Sequence, residues 1–193
     1  MTTLRPTLID AADGLAANSA VDADSWWLSA RLHDHEKVFW VKIHAMEMSG
    51  ACLSTVALLR EPDGHTDGKH AIEVKDSVTV SADSLDVKTS VLSLSGDLDR
   101  LEMSGATDTA SIRLSLRREG PVLYNGGAGV FPFFGGTTGQ YALPGLATSG
   151  TITVEGPHTR SADAPGSTAS GSPEPPRCRG SPGSGSISAR AGI

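Results

Sequence analysis

Apolar residues recur at every second position through most of this chain, and that period constrains its fold more than anything else in it. The clearest run is Ala110 to Leu116, where Ala110, Ile112, Leu114 and Leu116 alternate with Ser111, Arg113 and Ser115. A period of two gives an extended segment one dry face and one wet face. Val38 to Met46 repeats it, with Phe39, Val41, Ile43 and Ala45 on one side and Trp40, Lys42, His44 and Met46 on the other. Trp26 and Trp27 are adjacent in a third run, so one faces in and the other out. Ala51 to Leu59 is apolar enough for a strand covered on both sides. Further strands are expected at Ala71 to Lys75, after the turn-rich EPDGHTDGKH, at Val78 to Val80, across Leu85 to Leu94, and at Ala147 to Val154. A single helix is expected, near residues 7–17. Short strands separated by turn formers predict an all-β fold, an antiparallel barrel or barrel-like sandwich.

The alternation stops near residue 156. Residues 157–193 contain 6 Gly, 8 Ser, 6 Pro and 5 Ala, with Ile187 and Ile193 as the large aliphatics and no aromatic side chain. Such a stretch buries too little apolar surface to offset its backbone entropy and is expected to be a disordered tail. It carries four Arg and two acids, so of the chain's 16 bases and 22 acids the first 156 residues hold 12 and 20. The body is therefore at −8, more acidic than the whole chain at −6. An acidic body without a Lys/Arg-rich block argues against a nucleic-acid partner or a polybasic membrane anchor. No apolar run approaches the roughly 18 residues of a membrane span. The first residues, MTTLRPTLIDAADGLAANS, lack the apolar centre of a secretory signal, which makes the cytoplasm the expected compartment. Cys52 and Cys178 are too far apart in sequence for a metal knuckle or a redox pair.

Gly120 to Gly150 is the most individual segment. Glycines at 126, 127, 129, 135 and 136 interleave with Tyr124, Phe131, Phe133, Phe134 and Tyr141, five of the nine aromatic residues. Glycine permits positive φ, bulges and close backbone approach, and aromatics beside it form flat apolar walls or fill a core. No Gly-Lys-Ser/Thr follows, so a phosphate loop is a poor reading. The stretch LYNGGAGVFPFFGGTTGQYALPGLATSGTITVEG resembles the signature of the lipocalin-like family of carotenoid 1,2-hydratases and AttH-type proteins, whose fungal relatives include kievitone hydratase and the lipocalin-like Diels–Alderases. The matching positions are Tyr124, Gly126, Gly127, Gly135 to Thr138, Tyr141, Leu143, Pro144 and Thr148 to Gly150. Asp24 to Trp27 (DSWW) and Leu94 to Leu101 (LSGDLDRL) are similar to the family's first strand and middle. The resemblance implies an N-terminal arm at 1–21, a lipocalin-like β domain at 22–156 as the first half of a two-domain architecture, and the tail at 157–193.

Family members continue past Thr-Ser-Gly into a Trp-Leu-Asp-Arg/His-Gln-Trp motif and a second domain. Codons permitted for Pro165 to Gly171, read in a shifted frame, encode Trp-Leu-Asp-Arg-Gln-Trp. The tail is accordingly expected to be a frameshifted reading, and the chain a truncated product that self-associates through the surface a second domain would cover.

His33, Asp34, His35 and Glu36 read as a solvated turn rather than a metal site. His44 shares its strand face with Trp40 and Met46 and is the candidate acid–base residue, against the plainer reading of a hydrogen-bonded structural histidine. The resemblance implies binding of a hydrophobic small molecule, such as a polyene, terpenoid or polyketide-like compound. It further implies hydration, isomerisation or cyclisation without a redox cofactor. Trp40, Tyr124, Asn125, Phe131, Phe133 and Tyr141 are the candidate ligand contacts. A non-catalytic carrier and an inactive product are the alternatives.

Overall fold

The structure, a computed structural model, describes residues 8–34, 37–133, 136–155 and, for the backbone alone, 177–191. Alternation becomes strand throughout. The first four strands are long: β1 (Ala23–Asp34), β2 (Lys37–Met48), β3 (Ala51–Glu61) and β4 (His65–Val74). Shorter ones follow: β5 (Thr79–Val80), β6 (Leu85–Lys88), β7 (Leu92–Gly96), β8 (Arg100–Ala106) and β9 (Ala110–Arg118). The glycine-rich region supplies β10 (Leu123–Tyr124), β11 (Val130–Phe133), β12 (Gly136–Gly139) and β13 (Tyr141–Ala142), before β14 (Leu146–Val154) and β15 (Arg177–Ala191). In place of the expected helix at 7–17 there is one 3-10 turn, Asp13–Leu15.

The main sheet runs β4-β3-β2-β1-β15-β14-β9-β8-β7-β6-β5, with every pairing antiparallel. Its terminal strands, β4 and β5, are not paired with each other among the described residues, so the ladder is open. With no helical layer to cover it, the sheet curls until its own inner face closes on itself. Trp26, Leu28, Leu32, Phe39, Val41, Ile43, Val56 and Leu58 from β1–β3 join Leu85, Leu94, Leu101, Ile112, Leu114, Leu116 and Ile152 in one buried cluster. Trp26 is 1% exposed and Trp27 40%, the in-and-out pair that adjacent positions on a strand require. At Gly105 in β8 a Cβ would stand 2.9 Å from Val56 Cγ2 of β3, so the two walls already touch there.

The backbone of 177–191 runs between β1 and β14, with Leu28 opposite Ile187 and Ser149 opposite Arg179. The physical reason lies in the slot. β1 and β14 each offer a free row of backbone donors and acceptors, and main-chain pairing makes no demand for apolar side chains. Residues 157–176 and 192–193 of the expected tail lie outside the described residues.

Side chains bridge the seam that the ladder leaves open. The Asp67 carboxylate in β4 accepts hydrogen bonds from the Thr107 hydroxyl, from the Thr109 hydroxyl at 2.5 Å and from the Thr109 N–H at 3.0 Å, all in the β8–β9 connection. Lys69 Nζ lies 2.8 Å from Asp108, and the Ser90 N–H donates to Glu73 at 3.1 Å. The Thr107 and Thr109 bonds hold Asp67 down to about 2. A depressed carboxyl stabilises the fold fully above its unfolded value near 3.8 and loses that contribution as pH falls toward 2.

Asp67→Asn is expected to cost about 1–2 kcal/mol in urea unfolding at neutral pH. The gap from wild type should close as the acid limb is descended. Gly150 in β14 is a second checkpoint, since a Cβ there would overlap the Arg113 carbonyl oxygen and sit 2.9 Å from Leu114 Cα. Gly150→Ala should lower stability by about 1–3 kcal/mol, read as an earlier denaturant midpoint.

Candidate functional site

Because β1–β4 pair without interruption, side chains on their outer face stand in straight cross-strand rows. One row is Arg31–Trp40–Leu59–Thr66, the next Ser29–Lys42–Ala57–Gly68, and the third Trp27–His44–Thr55–His70. The middle row is short wherever Lys42 does not occupy it, since it carries Ser29, Ala57 and a bare glycine. The bulky first row beside the low middle one makes a groove of about 500 Å³, lined by Ser29, Trp40, Lys42, Ala57, Leu59 and Gly68. Trp40 forms its main wall. The indole stands 43% exposed and is fixed in place by donating from Nε1 to Glu61 Oε1 at 3.0 Å.

Two cations press against the tryptophans. Arg31 Cζ lies 5.3 Å from the Trp40 ring centroid, and Lys42 Nζ 5.9 Å from that of Trp27. Arg31 Nη1 also donates toward His33 Nε2 at 2.8 Å. His44 is half-buried in the third row, beside the groove. Burial lowers its pKa first, and the charge of Lys42 lowers it further. The imidazole is therefore neutral at pH 7 and available as a proton acceptor.

Sequence-derived candidates separate into two places. Trp40 and His44 share this outer face, four residues apart on β2. The others belong to the glycine-rich segment at the end of the core. Tyr141 is fully buried, with the Tyr124 ring centroid 6.5 Å away and tilted at 45°. Asn125 opens the turn Asn125–Gly127, where Gly126 has φ 65° and the Asn125 carbonyl accepts the Gly129 N–H at 2.8 Å. Phe131 and Phe133 lie on the small β11–β12 hairpin, Phe133 being 40% exposed. Phe134 lies outside the described residues.

The N-terminal arm seats on this assembly: the Ile9 N–H donates to the Ala128 carbonyl at 3.1 Å, and Trp26 Nε1 to the Leu15 carbonyl at 2.8 Å. Tyr141 packs so close to Gly14 that a Cβ there would lie 2.8 Å from its ring. The glycine-aromatic segment thus caps the core, and Tyr141 is a packing residue. The groove residues Ser29, Lys42, Ala57, Leu59 and Gly68 were not singled out from the sequence. Their signal, the wet face of three alternating strands, becomes legible only once the register is known. Of the remaining candidates, Cys52 is buried in β3, and burial followed by the charges of Glu73 and Glu47 pushes its thiol up to about 11, so it is not a nucleophile. Among the described residues no three His, Cys, Asp or Glu side chains converge as a metal site. His35 and Glu36 lie outside them, and no helix there is long and apolar enough to cross a membrane.

A single antiparallel sheet curled round its own apolar face, with an arm plugging one end, defines a lipocalin-like architecture. The chain superimposes on two solved proteins of AttH type. One is kievitone hydratase from Nectria haematococca, at TM-score 0.76 and 18% identity over 99% of this chain and 54% of that one. The other, assigned as an AttH, is from Nitrosomonas europaea, at TM-score 0.72 and 14% identity over 98% of this chain and 57% of that one. The expected AttH-like, all-β fold is thus found, and the chain spans little more than half the length of either neighbour. No protein-family model and no curated protein sequence matches it.

The lowered His44 pKa sets a pH signature. The unfolded chain binds a proton at this residue more readily than the fold does. Stability is therefore full above the unfolded value of 6.5 and declines as pH falls through it toward the lower folded value. Urea midpoints measured between about pH 7.5 and 5 should drop more steeply for wild type than for His44→Gln.

Proposed function

We propose that the chain binds an apolar small molecule, of polyene, terpenoid or polyketide-like character, in the outer groove of β1–β4. The observation that carries this reading is the Trp40 indole, left 43% exposed over a trough floored by Ser29, Ala57 and Gly68, with Trp27, 40% exposed, one row further along the same face. Water against two indoles and Leu59 is displaced favourably by a hydrophobic surface of matching shape.

The reaction class follows by analogy with the neighbour named for hydration. A cofactor-independent hydration, isomerisation or cyclisation needs a carbon skeleton held in place and one group that moves a proton. The tryptophan walls support the first role, and the neutral imidazole of His44 supports the second. The glycine-rich aromatics contribute to this function through the scaffold. A carrier that binds the same compounds without turnover uses the groove and leaves His44 idle.

N-phenyl-1-naphthylamine, a neutral fluorophore, reports on the site. It is expected to bind saturably, with affinity reduced about tenfold in Trp40→Ala. Binding should be lost in Ala57→Phe, which fills the trough from its floor without touching the core. Absence of saturable binding, or indifference to both substitutions, would sink the groove reading. Turnover of a polyene that disappears in His44→Ala while fluorophore binding persists would mark an enzyme. Binding without turnover would mark the carrier.

A further inference from the structure

We infer that the groove selects amphipathic anions, flat apolar molecules that carry one carboxylate or sulfonate. The inference rests on the groove being a ligand site and adds the head group that the site prefers.

Charge distribution carries it. The first 156 residues hold 12 bases against 20 acids, so a cation not committed to a carboxylate is out of keeping with its surroundings. Arg60, Lys69, Lys75, Lys88, Arg117 and Arg118 each form a salt bridge. Arg31, Lys37, Lys42, Arg100 and Arg113 do not, among the described residues. Of these five, two lie against an indole, Arg31 at 5.3 Å from the Trp40 centroid and Lys42 at 5.9 Å from that of Trp27. Lys42 lines the trough, while Arg31 stands beside Trp40 with its Nη1 turned to His33.

The carboxylates nearby are already engaged. Glu61 accepts the Trp40 indole N–H at 3.0 Å, and Asp67 is turned to the other side of β4, where Thr107 and Thr109 hold it. Arg31 and Lys42 outnumber Glu61 on this face, so its charge runs opposite to that of the body. A flat ligand can lie along Trp40 and Leu59 while its head group meets Lys42, whose position in the middle row places it within the trough rather than at a distant rim. A charged head group then gains a charge-assisted contact that a neutral one lacks. It also suffers less from the negative body, because the local field is positive.

A matched pair of fluorophores tests this with the whole chain. 1-Anilinonaphthalene-8-sulfonate and N-phenyl-1-naphthylamine share one aromatic skeleton and differ by the sulfonate. The sulfonate should bind about fivefold more tightly or better at low salt, and its advantage should shrink as salt is added. Lys42→Gln should bring the ratio of the two affinities close to one and Arg31→Gln should bring it part of the way, the ratio within each variant cancelling any general change in groove binding. A urea midpoint close to wild type shows the variants to be folded. Equal binding of the two probes, or a sulfonate preference indifferent to both substitutions, overturns the inference and leaves the apolar groove standing. Failure of both probes to bind, or binding that survives Ala57→Phe, overturns the groove itself and the head-group preference with it.

Discussion

A sheet that lacks any second layer has to supply both walls of its own core. That constraint explains most of what this chain does with its residues. Alternation must hold on strand after strand, because one slip in register would turn a whole dry face outward. The sheet must curl, and where its walls meet, the side chain must vanish, as at Gly105 against Val56. Its two ends must also be held together without a backbone ladder. The Asp67 carboxylate answers that need, gathering three donors from the β8–β9 connection across a seam that β4 and β5 leave unpaired.

The same constraint accounts for the glycine-aromatic segment. A curled sheet is open at its ends, and here one end is stopped by Tyr141, by the turn at Asn125–Gly127 and by the arm that docks on them. Gly126, Gly127 and Gly129 all have positive φ, so the turn could not form with ordinary residues. Gly150 lets β14 approach β9 more closely than a Cβ permits. The most recognisable stretch of the sequence is therefore a set of solutions to backbone problems. This is why it resembles a fold so well and names a reaction so poorly.

How much could be read from the residues follows from that division. β2 and β9 were legible to within a residue or two, because their alternation is strict and each has one wet face. The pairing of Trp26 and Trp27 with inside and outside followed from geometry alone. β8 was not expected, since Glu102, Ser104 and Gly105 dilute its pattern, and a helix at 7–17 was expected where a single 3-10 turn serves as a plug. The place of β15 depends on backbone groups of two other strands, which no side-chain pattern records. Half of the groove was visible as the Trp40–Lys42–His44 face. The other half, Ala57 and Gly68, is small by design, and small residues announce nothing until their neighbours are known.

The groove's depth comes from what three side chains lack: Ser29, Ala57 and Gly68 stand on the wet side of the sheet, where the core does not feel them. A methyl group added at Gly68 would find only ordinary contacts, 3.5 Å from the Val56 carbonyl oxygen and 4.0 Å from Ala57 Cβ. The shape of the cleft can thus be retuned one carbon at a time at almost no cost in folding. Most binding cavities are carved from the interior and inherit its intolerance of change. A trough laid on the outside of the sheet frees specificity to drift while the scaffold stays fixed.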